Sequence, residues 1–190
     1  MSFPTSPKPN SIRIGGYSPT MVSTTHSLKR QARTRGGQRW VIEASYPPMN
    51  RTDFAPLWAF ANAQKGQYST FTYIPPVYGD SSGTVSGTVA INNASGYSAG
   101  DSTLTIDGLT GTLKAGDFIK FAGHDKVYCL TADATTSLSI VPPLVADVSD
   151  DEVITYNDVP FTVAFADDNQ EMSVGVDELV GFKIALVEVP

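Results

Sequence analysis

Apolar and polar residues alternate with a period of two along most of this chain, and with a period near 3.6 in one place only. The exception lies within residues 33–76, RTRGGQRWVIEASYPPMNRTDFAPLWAFANAQKGQYSTFTYIPP. Phe54, Leu57, Trp58 and Ala61 fall at i, i+3, i+4 and i+7, one apolar stripe of a helix, and Phe60 widens it. The spacing predicts a helix over about 52–65. Asn50, Thr52 or Asp53 can cap its start, and Pro56 falls in the first turn, where little hydrogen bonding is lost. Lys65 suits the helix dipole and Gly66 the left-handed position beyond the last turn. Strands flank it. In residues 38–46, Trp40, Ile42 and Ala44 point one way and Val41, Glu43 and Ser45 the other, with Pro47-Pro48 expected to end the strand. In residues 68–74, Phe71 and Tyr73 share a face. Trp40, Ile42, Phe54, Leu57, Trp58, Phe71 and Tyr73 are therefore the expected core of a sheet that carries the helix.

Before this stretch, residues 1–10 contain three prolines and read as an extended arm. Residues 11–14 form a short strand stopped at Gly15-Gly16, and 20–25 a second. Residues 27–35 are expected to pair with 38–46 through a tight turn at Gly36-Gly37. At Val77 the composition shifts to Gly, Ser and Asn. Strands follow at 84–91, 102–106, 117–121, 126–131 and 137–141, evenly spaced and separated by turn residues. Such spacing suggests a small barrel, OB-like or SH3-like. Strands at 153–156, 161–165, 170–174 and 182–189 end the chain. The predicted fold is mainly β with one helix. A split β-rich hub domain, 11–78 plus 158–190, is interrupted by an inserted β-barrel, 79–157. The Gly/Ser-rich segment and the acidic run Asp150-Asp151-Glu152 read as its two crossing linkers.

Composition supports this. The 190 residues are 41% hydrophobic and 10% aromatic, enough for one large or two small packed domains, and 16 Gly with 13 Pro favour turn-rich β-structure. No apolar run approaches the ~20 residues that span a bilayer, and the first residues lack the apolar region of a secretory signal. No membrane partner is expected. The single cysteine, Cys129, leaves no intrachain disulfide framework and suggests a reducing compartment.

Charge adds a second feature. Residues 1–75 hold nine Lys or Arg against two acids, and the rest of the chain holds four Lys against seventeen acids. The split suggests a basic and an acidic surface suited to head-to-tail or layered assembly, though two ordinarily solvated surfaces fit equally well. The positive charge concentrates in residues 28–39, LKRQARTRGGQR, with Lys29, Arg30, Arg33, Arg35 and Arg39 and no acid. The segment lacks the interleaved aromatics of single-strand binders and any nucleic-acid motif. It is expected to face solvent or a partner subunit, and no nucleic-acid contact is expected.

Catalytic chemistry finds no foothold. Neither His26 nor His124 has a second His or Cys at ligand spacing. Cys129, between Tyr128 and Leu130, reads as a small buried hydrophobe. Asp150-Asp151-Glu152 and Asp167-Asp168 are consecutive acids, which point in different directions and read as solvated turns rather than calcium sites. No carboxylate pair stands out for glycoside hydrolysis. The glycines of 79–87 lack the lysine and helix of a phosphate loop. No catalytic, cofactor or metal residue is assigned, and no enzyme activity is expected.

Three segments carry a resemblance: RGGQRWVIEASYPPMNRTDFAPLWAFANAQKGQYSTFTYIPP, LTGTLKAGDFIKFAGHDKVYCLTAD and YNDVPFTVAFADDNQEMSVGVDELVGFKIALVEVP. Together, from Arg33 onward, they resemble tail-tip proteins of long-tailed bacteriophages, most of all distal-tail proteins. The resemblance implies a hub domain that assembles into a ring, typically a hexamer, beneath the tail tube, with a second β-domain projecting outward. It implies as partners further copies of the chain, the tail tube protein and other tail-tip or baseplate hub proteins. It places the protein at the distal end of the virion tail after assembly in the host cytoplasm. The departure is the barrel's position, ahead of the last strands, whereas some distal-tail proteins carry it at the C-terminus. The hub strands and the basic hairpin are the expected subunit contacts, with residues 1–10 as an arm ordered by a neighbour. The alternative is a host-surface glycan-binding module, whose barrel would offer Tyr78, Tyr97 and Tyr128.

Overall fold

The computed structural model describes residues 1–175 and 177–190. β1 (Ser11–Tyr17), β2 (Thr20–Thr24), β3 (Arg30–Thr34) and β4 (Arg39–Met49) precede the helix α1 (Arg51–Ala63), and β5 (Phe71–Tyr73) follows it. Next come β6 (Val85–Ser86), β7 (Val89–Ile91), β8 (Thr103–Asp107), β9 (Thr110–Gly111), β10 (Phe118–Phe121), β11 (Val127–Leu130), β12 (Ser137–Val141) and β13 (Val153–Thr155). β14 (Phe161–Phe165), β15 (Met172–Val174) and β16 (Val180–Glu188) end the chain. The fold is mainly β with a single α-helix.

The hub is an antiparallel sheet in the order β1-β4-β16-β14-β5, with β15 also paired to β16. Period-two patterning gives it one apolar face. Ile42, Ala44 and Tyr46 of β4 and Phe182, Ile184 and Leu186 of β16 are all buried. The stripe of α1 packs on that face through Phe54, Leu57 and Ala61. Trp58 and Phe60 are half-buried at its margin, and the Trp58 ring meets Phe182 edge-on at 6.3 Å. A helix of 13 residues is marginal alone, so this face holds it. Asn50 occupies the N-cap without a side-chain cap bond. At the far end Lys65, not Gly66, is the first left-handed residue (φ 56°), and Gly66 continues it at φ 65°.

The barrel closes in the order β10-β11-β12-β8-β7-β13, every neighbour antiparallel. Its core includes Ile119, Phe121, Tyr128, Leu130, Leu138 and Ile140. It is strung between β5 and β14, which pair with each other, Tyr73 opposite Phe161.

Several expectations change, among them the 84–91 strand, which divides into β6 and β7. The strand beginning at Ser11 runs through Gly15-Gly16 to Tyr17, because Val41, Trp40 and Arg39 continue the ladder opposite it. Gly16 fits closely there: a Cβ would sit 3.2 Å from the Trp40 ring, which would have to give by a few tenths of an ångström. The basic segment pairs with residues 20–24, not with 38–46, and turns at 25–29, where Leu28 adopts φ 63°. β4 passes Pro47-Pro48, since a bulge lets Tyr46 face Phe182 while Met49 faces Val180. Finally, residues 1–3 seat on this chain's own hub. Ser2 bridges Thr72 in parallel, the Phe3 N–H donates to the Thr72 carbonyl at 2.9 Å, and the Phe3 ring enters the core.

Candidate subunit interface

The β2–β3 hairpin extends the β1–β4 pair into solvent. Arg35 N–H donates to the Pro19 carbonyl at 3.1 Å where the two ladders meet. Every residue from 20 to 37 is exposed. Lys29 sits in the turn, its carbonyl accepting the Thr25 N–H at 3.1 Å. Arg30 lies opposite Thr24 and Arg33 opposite Met21 on β3, Arg35 follows that strand, and Arg39 opens β4 opposite Tyr17. The fold thus places Lys29, Arg30, Arg33 and Arg35 on or beside the projecting ribbon, with Arg39 on the hub sheet at its base. Among the described residues none of them makes an ion pair. Between them lie apolar side chains left in water: Met21, Val22 and Leu28. An isolated two-stranded ribbon is marginal in water, and its outer edges present unpaired backbone groups.

The negative charge of the barrel stretch has a different character. Residues 79–157 contain ten acids and three lysines. Asp80, Asp101, Asp117, Asp133, Asp147, Asp150 and Glu152 each accept backbone N–H groups of this chain. Asp125 accepts the Thr162 hydroxyl at 3.0 Å. Most of these carboxylates are turn caps. Asp117 is the most committed. Burial alone would push its carboxyl up, but the Ser81 hydroxyl, the Ser82 N–H and hydroxyl and the Lys114 N–H hold it below the usual carboxylate value.

Between ribbon and barrel lies the junction of the two cores. Alternate residues of β10 and β11 face opposite ways: Ile119, Phe121, Tyr128 and Leu130 into the barrel, Phe118 and Val127 into the hub core. The Trp40 ring meets Phe118 edge-on at 5.1 Å, and its Nε1–H donates to the Val127 carbonyl at 2.7 Å. Lys126 and Glu188 form an ion pair with both side chains fully buried. Glu188 also accepts the Val127 N–H at 2.9 Å and the Trp40 N–H at 3.1 Å, while Lys126 donates to Gln38 Oε1 at 2.6 Å. Burial pushes the Lys126 pKa down, against the pull of Glu188. Sequence patterning missed this pair because it assigns charged residues to the surface.

The remaining candidates are structural in their contacts. Tyr128 lies in the barrel core rather than on its surface; its hydroxyl accepts the Val145 N–H at 3.2 Å and bonds His124 Nδ1 at 2.8 Å. Burial raises that hydroxyl to about 12. Tyr97 is half-buried and accepts the Thr105 N–H at 2.8 Å; of the three tyrosines only Tyr78, 56% exposed, stands free. Burial, and the charge of Asp117, raise the Cys129 thiol, which disfavours the nucleophilic thiolate. Among the described residues no group of three or more His, Cys, Asp or Glu is set to hold a metal ion. No helix among them is long and apolar enough to cross a membrane. No protein-family model matches the chain, and no curated protein matches it.

Proposed function

We propose that this chain is a structural subunit of the tail tip of a long-tailed bacteriophage, joining copies of itself into a ring between the tail tube and the distal apparatus. The bacteriophage setting, the hexameric count and the tube and hub partners come from the resemblance to distal-tail proteins. Self-association rests on one observation of this molecule: the β2–β3 ribbon stands off the body with Lys29, Arg30, Arg33 and Arg35 unpaired and apolar side chains exposed, and among the described residues no part of its own chain covers it. A projecting ribbon of that kind gains stability by seating on a partner. In this role the shared core gives the hub and barrel a fixed relation, which a repeated contact needs if it is to close. The subunit assembles in the host cytoplasm and resides at the distal end of the virion tail.

Light scattering coupled to size exclusion tests the reading, followed by class averages of the purified chain and immunogold labelling of tails. The expected result is a discrete ring and a label at the tail tip. A monomer at every concentration, with no label on tails, would sink it.

A further inference from the structure

We propose that the basic ribbon of one copy seats in an acidic groove on the open sheet face of the next. This rests on the self-assembly reading above. The groove has a volume of about 1080 Å³ and runs over β4 and β16 beneath the segment that leads into β15. Its floor is the sheet face turned away from α1, where Ser45, Gly181 and Ala185 leave the strands thinly covered. Four carboxylates line it, Glu43, Asp167, Asp168 and Glu171, against one cation, Lys183. The ribbon offers the opposite pattern, four cations (Lys29, Arg30, Arg33 and Arg35) and no acid.

The groove fits better than the barrel, the other acidic surface, for a physical reason. The barrel's carboxylates mostly cap its own turns, and a visiting cation would have to compete with those bonds. In the groove, Asp167's carboxylate has no hydrogen-bond partner among the described residues. Glu43 has only a solvent-exposed pairing with Arg13 at 3.7 Å, and Glu171 only the amide of Asn169, at 2.7 Å. Asp168 alone is tied to backbone, accepting the Gln67 N–H at 3.0 Å. Met172 on the groove wall is 48% exposed and offers Met21 and Val22 of the ribbon an apolar partner.

The occupant must come from another copy. The ribbon leaves the sheet at the Tyr17–Arg39 end of β4, and all of residues 20–37 are exposed, so it does not fold back on its own groove. A ribbon-to-groove contact uses two different patches. It is heterologous, and its repetition closes into a ring or runs into a filament.

Charge-swapped full-length chains provide the test. K29E/R30E/R33E makes both ribbon and groove acidic, and E43K/D167K/E171K makes both basic. All six positions are exposed, so each variant should keep the wild-type circular dichroism and melting temperature. Each alone should be monomeric by light scattering where wild type assembles. An equimolar mixture should regain the wild-type mass, because every ribbon then meets an oppositely charged groove. If wild type assembles and the ribbon variant does too, the ribbon is not the contact. If both variants are monomeric and the mixture stays so, the ribbon seats elsewhere. Either result overturns this inference and leaves self-assembly standing. A wild-type chain that never assembles overturns the self-assembly reading and this one with it.

Discussion

Lys126 and Glu188 lie 62 residues apart, one on the barrel side and one on the last hub strand, and neither side chain reaches water. Desolvating two charges is costly, and here the cost is offset by saturation: the carboxylate takes the ammonium and two backbone N–H groups, and the ammonium takes Gln38 as well. Such a pair adds little stability over an apolar replacement but is expensive to break by half. Lys126→Met should therefore cost about 3–5 kcal/mol, because it strands the Glu188 carboxylate. K126M/E188Q should cost less than the single variant, by at least about 1 kcal/mol, since glutamine is uncharged and still has a carbonyl to accept one of the N–H groups. Urea unfolding of the two proteins measures the difference. Equal losses would show that the stranded charge is not the source. Tyr73 makes a contrast: burial pushes its hydroxyl up to about 12, opposed only by the neighbouring Tyr46 hydroxyl.

Elements were legible where local pattern decided them. The helix stripe, the even spacing of the barrel strands and the alternation of β4 and β16 all follow from side-chain periodicity, because one face of each must be dry. Elements settled by distant partners were not. Gly36-Gly37 carries the turn signal, yet the hairpin turns at 25–29, because β1 and not β3 occupies the edge of β4. Pro47-Pro48 could not stop β4 once a bulge against β16 absorbed them. The Gly/Ser-rich segment read as a linker is a tight ladder in part: at Gly111, φ 101°, a Cβ would collide with the Thr84 carbonyl. In the segment opening the chain, the prolines of residues 4–9 signal an extended backbone, but a single residue decides where its first part lies. Phe3 packs on Phe60, Phe71, Tyr73 and Tyr46 with ring centroids 5.2–6.4 Å away. It makes Met1–Phe3 a fastening across β5, at the edge of the hub sheet. Phe3→Ala should cost about 3–5 kcal/mol, the range for emptying a buried phenylalanine site. Lys8→Ala, on the exposed part of the same segment, should change stability by less than about 0.5 kcal/mol. Thermal melts of the two variants would separate them, and a Phe3→Ala protein as stable as wild type would show that the fastening is dispensable.

At the scale of the whole molecule the question is whether barrel and hub are two bodies on a tether or one. The crossing segments are zipped: the Val159 N–H donates to the Gly79 carbonyl at 2.9 Å, and Asp80 accepts the Asp158 N–H at 3.0 Å. More decisive is the shared core. Phe118 and Val127 are barrel residues by sequence and hub residues by burial, and Phe118 also meets Phe161 edge-on at 5.3 Å. Excising 79–157 would remove both, expose Trp40 and Phe161, and leave Glu188 without its cation. The resulting hub should lose the burial of two large apolar side chains, about 3–6 kcal/mol, besides the stranded charge. That is comparable to the whole stability of many domains, so the excised hub is expected to melt far below the intact chain or not to fold. Replacing 20–34 by an Asn-Gly turn should do the opposite. That ribbon buries nothing, and Pro19 and Arg35 already meet at its base. Its removal should leave the melt within about 2 °C of the intact chain while abolishing assembly. Calorimetry and light scattering on both deletions would read stability and association separately. A barrel-less hub that melts like the intact chain would show two independent bodies. A ribbon-less chain that still assembles would place the contact on the body itself. The expected pair of results assigns rigidity to the shared core and association to the ribbon, the division of labour that lets one heterologous contact, repeated at a constant angle, return to its starting copy.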